Sequence, residues 1–392
     1  MAAPYVINDG DRTDDAPGES WRDFVHSGPG TLAGRWLRTF WHPVLRSVDL
    51  PTGQAKPIEI MSEQFTLYRG EGGDPHLLAF RCAHRGTQLS TGWVEGDTLR
   101  CFYHGWRYDG TGQCVEQPAE PEPFCQRIKI RSYPVQEYLG LIFAYLGEGE
   151  APDLPRYPEF EDETRGFNDV TAGSTPCNLF NMIDNDPIHI YFVHRTFNAA
   201  QGRADIPSLR CEETEYGFVT WASDSEESWA YHLHAPNVVH GRSDGFPKGE
   251  ALQFRVPRND ESTISFRVYL IYSDGPGAEQ YRQTRAGRPN PARALVHEVG
   301  QQVLRGELRV QDVDDMRILF NLQDYVAVVG QGTITDLRAQ HLGHSDAPIT
   351  MLRALWGKEL KALAEGRPLT RWRRSAEPMV LSVARNEAPS ES

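Results

Sequence analysis

The sequence predicts an α+β chain in two parts: a small all-β unit, then an α+β unit built on an antiparallel sheet. Three observations carry this. From Lys56 to about Leu146, short β-like runs recur at intervals of roughly ten residues, punctuated by Gly, Pro and Asp. The segment "GEGEAPDLPRYPEFED" then interrupts the pattern as a Pro/Glu-rich linker. Beyond it, strands are framed by helical stretches rather than alternating with them one by one.

Taken in order, residues 1–40 read as an arm and an entry helix. Residues 1–19 are polar, acidic and contain Pro and Gly; "SWRDFVHSGPGTLAGRWLRTFWHPVLRSVDLP" then holds a short apolar helix-like piece and an aromatic segment. Residues 41–150 hold the β runs "KPIEIM", "FTLYRG", "HLLAFR", "TLRCFYH", "IKIRSYPVQEY" and "LIFAYLG". Residues 151–392 begin with a helical stretch near 178–197, continue through strands such as "FVTWAS", "ALQFRV" and "TISFRVYLIYS", and end with helical patterns at 293–327 and 349–364.

Composition narrows the function classes. The net charge of −14 argues against nucleic acid or an anionic membrane as partner, since both want a basic face. The N-terminus has no basic start followed by an apolar run, and no later stretch approaches the ~20 apolar residues of a membrane span. Six cysteines, at 82, 101, 114, 125, 177 and 211, are too few for a disulfide framework in 392 residues. A reducing, cytoplasmic setting is expected, where thiols stay available for metal. No G-x-G-x-x-G follows a strand, so no nicotinamide or flavin site is expected.

The most informative stretch is "RCAHRGTQLSTGWVEGDTLRCFYHGW", with Cys82-x-His84 and Cys101-x-x-His104. Structural zinc usually takes both cysteines from one hairpin and both histidines from a helix. Here each loop supplies one of each, which suits a two-iron [2Fe-2S] cluster with thiolates on one iron and imidazoles on the other. Gly86, Gly105 and Gly110 allow close backbone approach to such a cluster. Trp106, Tyr108 and Trp93 are expected to cover it, and Cys114 and Cys125 to be ordinary thiols.

A second constellation follows in "PCNLFNMIDNDPIHIYFVHRTF", which sets Asp184, Asp186, His189 and His194 in an apolar stretch. Asp186 before Pro187 is a good helix start. His189 and His194, five apart, would diverge by ~140° on a regular helix, so both reach one metal only if the helix is distorted or ends there. Two histidines with open positions take a carboxylate as third ligand for non-haem Fe(II). Asp312, Asp314 and Asp315 read as a solvated cluster, whereas Asp324 stands alone in "ILFNLQDYVAVVG" and needs a partner or a metal.

From about Gly30 to Arg374 the chain resembles the large (alpha) subunit of Rieske non-haem iron oxygenases, on the phthalate-dioxygenase and aromatic O-demethylase side. The pieces that carry the resemblance are "FWHPV", "CAHRG…CFYHGWRYDGTGQC", "DPIHIYFVH", "HAPNVVHG", "QDYVAVVGQG" and "HLGHSDAPITMLR". It implies a Rieske domain over 41–150 and a helix-grip-like catalytic domain over 151–392. It also implies Cys82, His84, Cys101 and His104 as cluster ligands, His189, His194 and Asp324 as iron ligands, and Asp186 as the acid between the two centres. Relatives place two further residues between an acid–Asn pair and the Asp-x-x-His; here "DNDPIH" runs them together, which leaves the parts of Asp184 and Asn185 open.

The expected protein is thus the terminal oxygenase of a multicomponent system. It would use O2 and electrons from a separate reductase or ferredoxin to hydroxylate or O-demethylate an aromatic compound, with a carboxylated ring among the substrates the resemblance implies. Ring cis-dihydroxylation is the alternative, and a pure electron carrier a lesser one. The resemblance further implies a homotrimer in which one subunit's cluster feeds its neighbour's iron through His104 and Asp186. His232-x-His234 reads as an ordinary strand, with His234 and Asn237 as candidates for the substrate pocket, and His341 and His344 as surface residues.

Overall fold

The computed structural model describes residues 17–184, 189–194, 206–223, 227–243, 248–274, 277–284, 292–374 and 379–384. The first part opens on α1 (Leu32–Leu37), whose N-cap Thr31 accepts the Gly34 N–H at 3.0 Å. Three small antiparallel sheets follow. β1 (Trp41–Arg46) belongs to the first; β2 (Ala55–Ile60), β3 (Glu63–Arg69) and β4 (Pro75–Ala79) start the second. β5 (Trp93–Glu95), β6 (Thr98–Arg100), β7 (Arg107–Tyr108) and β8 (Cys114–Glu116) form the third. β9 (Ser132–Tyr133) returns to the edge of the second, while β10 (Val135–Tyr138) and β11 (Leu141–Tyr145) complete the first in the order β1-β11-β10. The run "TLRCFYH" is a strand only to Arg100; the remainder is loop, because its backbone turns to enclose a site.

The second part begins with α2 (Pro158–Glu161), β12 (Gly166–Thr175), α3 (Leu179–Ile183) and α4 (His189–Phe192). β13 (Ser208–Thr214), β14 (Gly217–Ser223), β15 (Glu227–His234), β16 (Val238–Ser243), β17 (Gly249–Asn259) and β18 (Ser262–Tyr272) then build one antiparallel sheet, ordered β12-β18-β17-β16-β15-β14-β13. The helices α5 (Ala278–Thr284), α6 (Ala292–Leu304), α7 (Met316–Val329) and α8 (Ala347–Ala364) follow, and β19 (Ser382–Ala384) pairs with β15. The helical pattern at 293–327 is two helices, not one: the chain turns at Gly306, and Asp315 caps α7 by accepting the Arg317 N–H at 3.0 Å. No helix among the described residues is long and apolar enough to cross a membrane.

The two parts share one core. Phe143 of β11 packs edge-on against Phe254 of β17 at 5.5 Å between ring centroids. Trp36 of α1, fully buried, meets Trp356 of α8 at 4.8 Å, and Phe24 stacks on Phe180 of α3 at 5.2 Å. The entry segment is therefore bound to the second part by large aromatic contacts, worth more than their buried area alone.

Candidate functional site

The two Cys–His loops are built on a common backbone plan. The first follows β4 and the second joins β6 to β7. In each, the cysteine N–H bonds the carbonyl five residues on, Cys82 to Thr87 and Cys101 to Trp106, both at 2.8 Å. In each, a glycine four residues on returns its N–H to the cysteine carbonyl: Gly86 to Cys82 at 2.9 Å and Gly105 to Cys101 at 3.1 Å. Both glycines sit at positive φ, +75° and +74°, where a side chain would be strained. The thiols of Cys82 and Cys101 are buried, while His84 and His104 lie half-buried with ring centroids 4.5 Å apart.

Burial is the largest influence on the Cys101 thiol and raises it; the Tyr103 backbone N–H pulls it down, and Cys82 beside it raises it again. Desolvation, then His84 and Arg85, holds the His104 imidazole below its ordinary value. Tyr108 places its hydroxyl 3.2 Å from Cys82 Sγ and accepts the Ala83 N–H, so it anchors one thiol and its loop. His84 stacks on buried Trp106 at 4.6 Å. Trp93 is not part of this cover: it is 51% exposed and leans on Phe102. Two buried thiols and two paired imidazoles make a four-donor set, and His84 Nδ1 is buried with no hydrogen-bond partner among the described residues. That set fits a two-iron cluster. All six cysteines are free.

The second constellation also comes together. The helical stretch read at 178–197 is broken: α3 ends at Asp184, and α4 is a single turn closing with Val193 N–H on His189 O at 2.8 Å. His194 thus lies past the helix end, which removes the angular divergence of a regular helix. Its side chain is fully buried, with Nε2 2.9 Å from Asp324 Oδ1, while His189 Nε2 stands 3.6 Å from the same oxygen. The donor atoms of His189, His194 and Asp324 lie within 4.8 Å of one another. Burial alone would raise the Asp324 carboxyl; the His194 hydrogen bond and the charges of His194, His189 and Arg267 outweigh it and hold it low.

Two residues the sequence reading missed complete this site. Phe320 and Gln323 lie four and one positions before Asp324 on α7. The Phe320 ring stacks on His194 at 3.8 Å, and Gln323 Oε1 lies 2.9 Å from His194 Nδ1. When Nδ1–H donates to Gln323, Nε2 is the ring nitrogen turned to the Asp324 carboxylate and the one placed to ligate a cation there. The signal was the helical spacing of "FNLQD", which puts Phe320 and Asp324 on one face.

Asp184, left open by the shortened motif, acquires a partner. It forms an ion pair with Arg353 of α8. One turn earlier, buried Asn181 donates to the carbonyls of Val328 at 3.0 Å and Gly332 at 2.8 Å, at the end of α7. The segment that precedes His189 is thereby tied to the end of α7 and to α8. Asn185 and Asp186 lie outside the described residues.

The remaining expectations divide. Asp312 pairs with Arg309 and Asp315 with Arg317, a solvated cluster as read. His341 and His344 are exposed. His234 is not on the side of the triad. Arg255 interacts with Asp324, so the alternating Phe254 points to the opposite face, and His234 shares that opposite face through Val238. There His234 packs edge-on to Tyr157 at 5.7 Å, and buried His232, with its imidazole pushed down to about 4 by desolvation, lies 2.7 Å from the Tyr216 hydroxyl.

Comparisons with known proteins agree with this geometry. Residues 40–137 match the Rieske [2Fe-2S] domain. The chain is 30% identical to the 5,5'-dehydrodivanillate O-demethylase oxygenase subunit of Sphingobium sp. over 86% of its own length and 79% of that protein's. It is 31% identical to the phenoxybenzoate dioxygenase subunit alpha of Ectopseudomonas oleovorans, over 86% and 84%. Among solved structures, Pseudomonas putida CBB5 NdmA, as its QL mutant with theobromine, shares the fold with a TM-score of 0.64 at 18% identity, over 84% of this chain and 92% of that one. The paired Cys–His loops, the sheet with its helices and these relatives together place the chain in the Rieske oxygenase family, as an oxygenase alpha subunit and an oxidoreductase.

Proposed function

We propose that this subunit is the terminal oxygenase that hydroxylates or O-demethylates an aromatic compound, with Cys82, His84, Cys101 and His104 holding a [2Fe-2S] cluster and His189, His194 and Asp324 holding one iron. The convergence of the last three side chains, from two segments 130 residues apart, carries the reading. It separates an oxygenase from an electron carrier, which needs no second site. An aromatic substrate is taken from the relatives' names, one an O-demethylase and the other a phenoxybenzoate dioxygenase.

Bound in these sites, the cluster would supply single electrons and the iron would supply O2 chemistry. The chain's own part is to place and poise the donors. Gln323 and Phe320 fix the His194 ring so that Nε2 faces the site, and Asp324 contributes a negative charge that balances a divalent cation. Asp186 is the proposed link between His104 of a neighbouring subunit and His189, which requires a homotrimer and a cluster-bearing unit over 41–150 beside a catalytic unit over 151–392. Electrons would come from a separate reductase, directly or through a ferredoxin.

Metal analysis with product analysis tests this. The purified protein should be red-brown and hold three irons per chain. With a surrogate reductase and O2, a panel of aromatic acids and ethers should yield formaldehyde or a phenol. A cis-diol would point to dihydroxylation instead. Two irons per chain and no oxidised product would sink the oxygenase reading.

A further inference from the structure

Two thiols lie beside the cluster loops without belonging to them. Cys114 opens β8, in register with Tyr108 of β7, whose hydroxyl meets Cys82 Sγ. Cys125 opens the single 3-10 turn Cys125–Arg127. The backbone holds these two segments together. Cys114 N–H donates to Ile128 O at 3.0 Å, and Ile128 N–H donates to Cys125 O at 2.9 Å. The Gln113 amide spans the junction, with Nε2 3.3 Å from Cys114 O and 2.8 Å from Cys125 O. Ten residues, with prolines at 118, 121 and 123, connect the pair. Each proline fixes its φ, so the connection has few other courses to take.

The side chains meet inside that frame. Cys114 is buried in the core that also contains Cys82, Cys101 and Tyr108, and half-buried Cys125 packs against the same core. Burial pushes the Cys114 thiol up to about 12; the Glu116 backbone N–H draws it down, and Cys125 raises it again by its charge and a thiol–thiol hydrogen bond. Cys211, by contrast, lies 3.5 Å from Thr220 Oγ1, and Cys177 packs with Met182 and Val328. Next to Cys125, Phe124 donates its N–H to Gln117 Oε1 at 2.7 Å and sets its ring edge-on to Trp106 at 5.5 Å. Trp106 in turn stacks on His84. The loop that carries Cys125 therefore supplies part of the cover over the Cys–His loops.

We infer that Cys114 and Cys125 are a reversible disulfide site which, when closed, locks this cover in place. The inference goes beyond the oxygenase reading and takes from it only the cluster. The oxidant is a small disulfide such as oxidised glutathione. Cys125, the more accessible thiol, loses its proton and attacks one sulfur of the small disulfide, expelling one thiolate. Cys114 gives its proton to that thiolate and attacks Cys125 Sγ in the mixed disulfide, expelling the second. Two protein thiols lose two electrons, and the small disulfide becomes two thiols that carry both protons away. Excess small thiol reverses each step. The new bond joins β8 to the turn after Phe124, so it restricts the opened forms of the loop through which water or a chelator reaches His84.

Glutathione buffers of stepped redox ratio, applied under nitrogen to the cluster-loaded protein, test the pair. The protein is unfolded in N-ethylmaleimide, digested and mapped by mass. In the oxidising buffers a peptide pair joined through Cys114 and Cys125 should appear, and dithiothreitol should remove it. Cys177 and Cys211 should stay alkylated and the red-brown colour should persist. With an excess of a ferrous-iron chelator, colour loss should be about 10-fold slower in the disulfide form than in the dithiol form. In Cys125→Ser, Cys114 should stay alkylated in every buffer and the chelator rate should not depend on the buffer. The wild-type comparison stands even if this variant fails to fold. Absence of the joined peptide in the most oxidising buffer overturns the site. So does glutathione held on Cys125 with Cys114 still alkylated, or a joined peptide that appears only once the colour is gone. Equal chelator rates in the two forms of the wild type overturn the lock.

Discussion

The two donor sets of this chain are assembled in opposite ways. Cys82, His84, Cys101 and His104 fall within 23 consecutive residues, on two loops that repeat one backbone hydrogen-bond plan. Each loop is closed by its own cysteine and glycine. His189, His194 and Asp324 come from segments that meet only when the second part has folded, and side chains hold them: Gln323 and Phe320 against His194, Asn181 against the end of α7, and Arg353 against Asp184. A locally closed site should be insensitive to changes elsewhere. A site built by tertiary contacts should respond to residues that never touch the metal.

The largest expected effect lies at the first site. Cys82→Ala or Cys101→Ala should abolish the red-brown colour, since each leaves one iron a ligand short. Cys114→Ala should keep the colour although its thiol is also buried; a bleached Cys114 variant would break the ligand assignment. Next comes the brace. Arg353→Met leaves the Asp184 carboxylate in a nearly closed environment and should destabilise the second part by about 3–5 kcal/mol. Divalent-metal affinity should fall while the cluster spectrum stays at wild type. Loss of colour in this variant would show that the two sites are not independent. Smaller still, Gln323→Leu should weaken metal binding about 10–100-fold by releasing the His194 ring orientation, with little change in melting temperature. Full metal affinity in Gln323→Leu would mean that stacking on Phe320 alone orients the ring.

The same contrast explains what the sequence disclosed. The cluster loops were legible because their donors and glycines lie side by side, and the β runs around them alternate cleanly. Asp324 was legible for a different reason, as a lone acid in an apolar helix. Gln323 and Phe320 were not singled out, because nothing in "FNLQD" says that a histidine 130 residues earlier will lie against that face. The part played by Asp184 depended on Arg353, 169 residues away, which no local pattern connects. Alternation gave His232 and His234 one face but not which face; that is fixed by what packs on the sheet, here Tyr157 and Phe254.

Iron counted per chain alongside the visible spectrum, in wild type and Asp324→Ala, tests the account at its centre. Three irons in the wild type and two in Asp324→Ala, with the red-brown spectrum unchanged, are predicted from a triad that includes this carboxylate and a cluster that does not depend on it. Three irons retained in Asp324→Ala, or a bleached cluster, would contradict it.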